Sequence, residues 1–416
     1  MQSAKIINDP VFGFIRVPRG LLLDIVRHPA FYRLSRIKQL GGANIVYPGA
    51  QHTRLQHSLG AFHLMGKAIL SLQQKGHFIF DSEAEAVQAA ILLHDIGHGP
   101  FSHVLEHTLI HGVSHEDISL MVMEQMNEEM RGQLGLAIKI FKDEYPKRFL
   151  HQLISSQLDM DRLDYLKRDA FFTGVNEANI GSSRIIDMLD MVDDQLVVDK
   201  KGIYSIENYL VSRRLMYWQV YLHKTTVAYE KTLVNLLRRA KYLAHRGEEV
   251  FATPALRFFL YNDVDASRFE SDPQALANYE LLDDNDIWAS VKAWMSHTDR
   301  VLSILAKDLA ERRIFRVEVR EEPFADNEVS TLQRQLADAF HVSFEDAAYL
   351  ISINTIQKDM YDPSDDQIDI LFKGKNDDQG NDTNYVVKDI ANASELFNIS
   401  LLSKKIRKYY LCYQRI

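Results

Sequence analysis

The sequence holds a single cysteine, Cys412, in 416 residues. One thiol can build neither a disulfide framework nor a cysteine-based zinc site, which fits a reducing compartment, so a cytoplasmic protein is expected. Glycine and proline are also scarce, at 19 and 10, whereas the two together usually make up about 12% of a chain. Few breakers predict long helices. No stretch of about 18 uninterrupted apolar residues occurs, and the N-terminal MQSAKIINDPVFGF has no apolar run of signal-peptide length. Neither a membrane span nor export is therefore expected. A cationic excess is missing too: 48 Lys and Arg against 57 Asp and Glu leave a net charge of −9, which disfavours nonspecific binding to nucleic acid or to an anionic membrane. That total still allows a local basic pocket.

What is present is a chain long enough for two or three domains of about 150 residues, with 46% hydrophobic residues to fill a core. From Leu21 to about Leu309 the apolar spacing is mostly helical. Leu59, Phe62, Met65, Ile69 and Leu72 lay one stripe down a helix. Ala84 to His94 reads as a second helix, broken by Gly97, Gly99 and Pro100, with a third starting near Ser102 as N-cap. Further helices are expected over Phe149 to Phe171, Ile206 to Arg239 and Ile287 to Ala310, the last preceded by the acidic run Asp283 to Asp286. Gln195 to Tyr204 alternates like a small hairpin turning near Lys200, Lys201 and Gly202. After about Arg312 β-rich segments follow, at Ile314 to Val319, Tyr349 to Ile356, Ile368 to Phe372 and Tyr385 to Ile390, with Asn376 to Asn384 as a hairpin loop. The expected fold is mainly α over residues 1–310, with a smaller α+β portion over 311–416.

Ten of the 16 histidines, His52, His57, His63, His77, His94, His98, His103, His107, His111 and His115, fall within 64 residues of chain. Without cysteine, histidine and carboxylate are the side chains left to hold a divalent metal. His57 sits on the first helix, His94 and Asp95 close the second, and Asp161 lies on a later one. Four ligands on three helices can converge inside a bundle. A lone histidine is more commonly a core or surface residue, so the combination carries the signal.

That combination is the string HDIGHGPFSH from His94 to His103, read with RLQH ending at His57 and DRLDY from Asp161 to Tyr165. It resembles the HD-domain phosphohydrolases, and within them the deoxynucleoside triphosphate triphosphohydrolases. Within that group it is similar to the catalytic core of vertebrate members that join a SAM domain to the HD domain. The resemblance runs from Lys5 to Pro10, through Ile37 to Gly42 and Tyr47 to Ala50, to Tyr221 to Lys224, roughly the first 240 residues. It implies an HD-domain helical bundle over about 50–170. It also implies one divalent metal ion (Fe, Mn, Mg, Ni or Zn) held by His57, His94, Asp95 and Asp161. His98, His103, His115 and Glu116 take the places of catalytic and supporting residues, His115 beside the α-phosphate. Arg54, Arg162 and Arg213 match phosphate-binding positions, with Arg162 in place of the usual Lys. Gln39, Leu40, Tyr165, Asp169 and Tyr221 match residues around the deoxyribose. Asp164 and Arg168 read as a structural i, i+4 surface pair.

The departures bear on regulation. Where vertebrate relatives read an activating guanine with Asp, Gln and Arg, this sequence has Arg27, Tyr32 and Ser35. Any nucleotide activator is then expected not to be GTP. Glu106 stands where close relatives carry Asp, which puts its orienting of His103 in doubt. The family implies a homo-oligomer, dimer or tetramer. Competing readings are an HD hydrolase acting on nucleoside monophosphates, cyclic dinucleotides or guanosine tetraphosphate, and a non-catalytic nucleotide sensor.

Overall fold

The computed structural model describes residues 4–101, 104, 108–358, 361, 367–374, 385–394 and 406–416. Its body is the expected mainly α fold. The helix Arg54–Gln74 starts where the Gln56 side chain accepts a hydrogen bond from the Thr53 amide (2.9 Å). Its stripe of Leu59, Phe62, Met65, Ile69 and Leu72 is buried. Helix Asp81–Leu93 packs along it, opened by the buried Glu83 carboxylate, which accepts from the Phe80 amide, Tyr145 Oη and Lys147 Nζ. Its last turns, Ala89 to Leu93, are fully buried. A helix apolar all round belongs in the centre of the bundle. Helix Met160–Thr173 covers the other flank of the Arg54 helix. The Asp159 side chain caps its start, accepting from the Arg162 amide, and Gly174 at φ 76° ends it. Helix His115–Glu129 begins with a capping box in which Ser114 and Asp117 exchange hydrogen bonds, and this puts His115 in its first turn.

The spacing misjudged continuity more than type. Phe149 to Phe171 is two helices, Arg148–Gln152 and Met160–Thr173, with an irregular stretch between them. Ile287 to Ala310 divides into Asp284–Trp294 and Arg300–Ala310. Ile206 to Arg239 becomes Ile203–Met216, a π-helical turn Tyr217–Tyr221, and Lys224–His245. A π turn rotates the side chains that follow it, and such turns recur at functional sites. The expected hairpin is displaced. Leu189–Val192 pairs with Gln195–Asp199 around Asp193 and Asp194, both at positive φ, and Lys200–Gly202 is the short helical entry to the next helix. The third helix expected from Ser102 and the loop Asn376 to Asn384 lie outside the described residues.

Strand pairing crosses the sequence boundary at 310. Asp369–Lys373 runs parallel to Gln195–Asp199 of the helical region and antiparallel to Tyr385–Asp389. A second sheet, Arg316–Arg320, Ile406–Tyr413 and Ile351–Lys358, is antiparallel and holds Cys412, whose thiol burial pushes up to about 12. An N-terminal hairpin, Lys5–Asp9 with Gly13–Val17, was not foreseen. No described helix is long and apolar enough to cross a membrane.

One contact ties the hairpin to the bundle. Arg168 is fully buried and donates to both Asp164 oxygens (3.0 Å each) and to Asp9 Oδ2 (2.7 Å). The pair read as a surface contact is therefore a buried one. Gly60 is the reason it fits, since a Cβ there would lie 1.9 Å from Asp164 Oδ1 and 2.1 Å from Arg168 Nη2. Gly60→Ala is expected to lower stability by about 3 kcal/mol, through clash and disruption of a buried charge pair. Denaturant unfolding of the two proteins checks this.

Candidate active site

The helix arrangement brings three of the four expected metal ligands together. His57, His94 and Asp161 place donor atoms within 4.8 Å of one another. The two Nε2 atoms are 3.3 Å apart, and Asp161 Oδ1 lies 3.0 Å from that of His57 and 3.4 Å from that of His94. Asp95 completes the set slightly further out, with oxygens 3.5 Å from His94 Nε2 and 3.7 Å from His57 Nε2. Ligands at about 2.1 Å from an octahedral ion stand about 3 Å apart along an edge, so the spacing suits one ion.

The donor chemistry fits as well. His57 Nδ1 is 2.7 Å from Asp164 Oδ2 and His94 Nδ1 is 2.7 Å from Ile91 O. Each Nδ1–H donates there, which leaves both Nε2 lone pairs facing one small volume that carboxylate oxygens also enter. A positive charge, a proton or a metal ion, satisfies such a convergence. The same field acts on protons. Burial alone would push His57 down, but hydrogen bonds to Asp161 and Asp164 outweigh it and raise its pKa to about 10. His94 is also raised, because Asp95 and Asp161 overcome its burial. Burial works to raise Asp161 and Asp95, yet the neighbouring imidazoles hold both below the usual carboxylate range.

Beside this cluster opens a cavity of about 430 Å³, lined by Gln39, Leu40, Arg54, Asp95, His98, His115, Asp161, Arg162, Tyr165, Asp169, Tyr217 and Tyr221. Arg54, buried one turn before His57, donates from Nη1 to Asp95 Oδ2 at 2.5 Å. His98 Nε2 is 3.3 Å from Asp95 Oδ1, and its ring stacks on that of His115 with centroids 3.9 Å apart. Burial, reinforced by the Arg54 charge, pushes His98 down to about 3, so it is a neutral imidazole. Arg162 is anchored by Nε to Ser156 O (2.6 Å) and Asp159 Oδ2 (3.1 Å). On the far wall Asp169 accepts from Tyr221 Oη at 2.7 Å and lies 2.7 Å from His52 Nε2.

Two expected residues stand elsewhere. Glu116 is exposed and does not line the cavity, although the adjacent His115 does. Arg213 lies behind the wall, donating to Gln157 Oε1 at 2.7 Å with its guanidinium 5.9 Å from the Tyr217 ring. His103 and Glu106 lie outside the described residues. Sequence reasoning missed Asp164 as the partner of His57, Asp9 as the far end of that chain, His52 behind Asp169, and Tyr217. The first of these had a signal: Asp161 and Asp164 are three residues apart, one turn of one helix face.

A model of the HD domain matches residues 54–169, and one of the HD associated region matches 180–257. The chain belongs to the HD-domain phosphohydrolases, whose HD domains hold divalent metal ions. A phosphohydrolase structure from Bacteroides thetaiotaomicron is similar with a TM-score of 0.94 at 62% identity, covering 99% of this chain and 100% of that one. The uncharacterized protein YwfO of Bacillus subtilis is 32% identical over 377 residues, 88% of this chain and 84% of its own. The human deoxynucleoside triphosphate triphosphohydrolase SAMHD1 is 31% identical over 268 residues, and the match covers 54% of this chain and 42% of SAMHD1.

Orienting partners of metal-binding histidines are typically worth about 10–100-fold in metal affinity. Asp164→Asn is therefore expected to weaken Mn²⁺ binding by about that factor, measured by calorimetry on the metal-stripped protein.

Proposed function

We propose that this protein hydrolyses deoxynucleoside triphosphates to a deoxynucleoside and inorganic triphosphate. The observation that carries the reading is the composition of one cavity. It joins a candidate metal cluster to two arginines and to a carboxylate, Asp169, already held by a tyrosine and a histidine. A triphosphate needs cations, and Arg54 and Arg162 border the space where it would lie. A sugar needs an oriented acceptor, and Asp169 is one. Gln39, Leu40, Tyr165 and Tyr221 line the same cavity and would enclose the deoxyribose.

His57, His94, Asp95 and Asp161 would hold the divalent ion, which when bound supplies charge neutralisation at a phosphoryl oxygen and a more acidic water. Arg54 would position the phosphates while keeping Asp95 oriented through their shared hydrogen bond. His115, half-buried on the cavity wall, would hand a proton to the departing 5′-oxygen, and the His98 ring stacked against it fixes its plane. The catalytic assignments of His103 and Glu116 rest on the family resemblance alone. The test is a chromatographic product assay on the four dNTPs with added Mn²⁺, beside Asp161→Ala. Free inorganic triphosphate from the wild type, and a loss of at least about 10³-fold in the variant, is expected. Phosphate or pyrophosphate as the sole product would favour a different HD hydrolase instead.

A second cavity supports the regulatory part of the reading. About 340 Å³ in volume, it is lined by Lys224, Arg312, Arg316 and Arg415 without any acidic side chain, a setting for a polyphosphate activator. The homo-oligomer remains part of this proposal. With Arg27 and Tyr32 exposed and Ser35 beside them, where relatives read guanine, GTP is expected to give no specific activation. Titrating GTP and each dNTP against hydrolysis of a fixed substrate checks this, and a strong response to GTP alone would contradict it.

A further inference from the structure

Beyond both matched family segments, the stretch Tyr279 to Asp284 crosses two loops of the active site and is bonded to each. Tyr279 Oη donates to Gly97 O at 2.7 Å. Arg33, 1% exposed, donates to Leu282 O at 3.0 Å and to Ile96 O at 2.7 Å. The Asp284 carboxylate, on a residue 6% exposed, accepts from the Lys38 amide at 3.0 Å on one oxygen and from the Phe101 amide at 3.2 Å on the other. Lys38 immediately precedes Gln39 and Leu40. Phe101 closes the loop that follows His94 and Asp95.

Phe101 has φ 55°, a left-handed conformation that a bulky side chain adopts only when its surroundings impose it. The Asp284 hydrogen bond is one such constraint. The two loops also touch, since a Cβ on Gly41 would sit 3.8 Å from Phe101 Cα. Leu40, Gly41 and Phe101 line a cavity of about 480 Å³ that shares Gln39, Leu40, Arg54, Tyr217 and Tyr221 with the active site.

We propose that Asp284 is a positioning residue for sugar discrimination: by joining the Lys38 and Phe101 amides, it holds the Gln39 and Leu40 wall at a fixed distance from the metal-side loop. The inference rests on the dNTP reading above. Rejecting a 2′-hydroxyl is a matter of space, and a wall that relaxes by a fraction of an ångström admits it. A carboxylate is suited to the task because each oxygen can accept one amide, whereas an asparagine would present an N–H to one of them.

Ionisation supports the arrangement. Burial raises Asp284 to about 6, with Asp283 adding to the rise and the Lys38 charge and the two amides opposing it. The charged and titratable groups around it are Lys38, Asp283 with its partner Arg36, and Tyr229 across the cleft. Above about 6 the carboxylate is charged and accepts both amides. Below that it carries a proton and one amide loses its partner, so discrimination weakens in acid.

The experiment compares wild type, Asp284→Asn and Tyr279→Phe in kcat/KM for a dNTP and its ribonucleotide counterpart with Mn²⁺. Amide exchange at Lys38 and Phe101 is read in parallel. The expected result is a fall in deoxyribose preference of about tenfold in Asp284→Asn and about threefold in Tyr279→Phe, with faster exchange at both amides in the first. General destabilisation would lower both activities and leave their ratio intact. An unchanged ratio in folded Asp284→Asn overturns the proposal. Should that variant not fold, an unchanged ratio in Tyr279→Phe together with a wild-type preference constant across pH 6 overturns it equally. A wild type that makes no triphosphate from any dNTP overturns the underlying reading instead, and exchange at the two amides then reports on the tether by itself.

Discussion

The Arg168 guanidinium, fully buried between Asp164 and Asp9, is the interaction on which the site depends. Asp164 uses one oxygen for His57 Nδ1 as well as for Arg168, so the tautomer of a metal-facing imidazole is set through a buried ion pair. Asp9 carries the chain onward to the N-terminal hairpin. Buried ion pairs are poor evidence for stability, because desolvation offsets much of their attraction. Their value lies in geometry: with either partner missing, the other charge is stranded, so few alternative packings compete. Gly60 supplies the space in which this pair is seated, and only a residue without a Cβ does so.

Electrostatic organisation extends outward from that pair in alternating layers. Carboxylates Asp95, Asp161 and Asp164 surround the two imidazoles, Arg54 faces Asp95, and Arg162 is held by Asp159. These charges around the two imidazoles are paired with opposite sign, whereas buried Arg33 and Arg213 are held by neutral acceptors instead. Where the Nε2 atoms meet, His57, His94 and Asp161 form a candidate metal site. The net charge of −9 conceals this, since a sum over the chain says nothing about which charges share a cavity. The same holds for the second cavity, where Lys224, Arg312, Arg316 and Arg415 gather from segments up to 191 positions apart.

Much of this was legible beforehand, and part was not. The stripe from Leu59 to Leu72, the helix ending at His94 and the ligand residues could be read because each depends on spacing within one element. The breaks at Leu153 and Ser296 were missed although each carries a local signal, a short polar stretch ending in an aspartate, Asp159 or Asp299, that caps the next helix. The π turn at Tyr217 has no composition signature. The N-terminal hairpin was missed because its strands are five residues each and alternate only weakly in polarity. Of the histidines, His52 stacks on Phe172 and meets Asp169, and His77 meets Asp190. Crowding in sequence did not reveal those partners, which are more than 100 positions away.

The sequence by itself determined the mainly α character of the body and the set of His and Asp residues that could hold a metal, because residue type and local period encode them directly, and its motifs carried the resemblance to the family. The tertiary structure alone decided that Asp164 and Arg168 are buried, that Glu116 faces solvent, that Arg213 stands behind Tyr217, and that Asp284 reaches both Lys38 and Phe101. The physical reason is range. A hydrogen bond acts over about 3 Å, and which residues come that close across 56 to 246 positions of chain depends on the packing of the whole bundle.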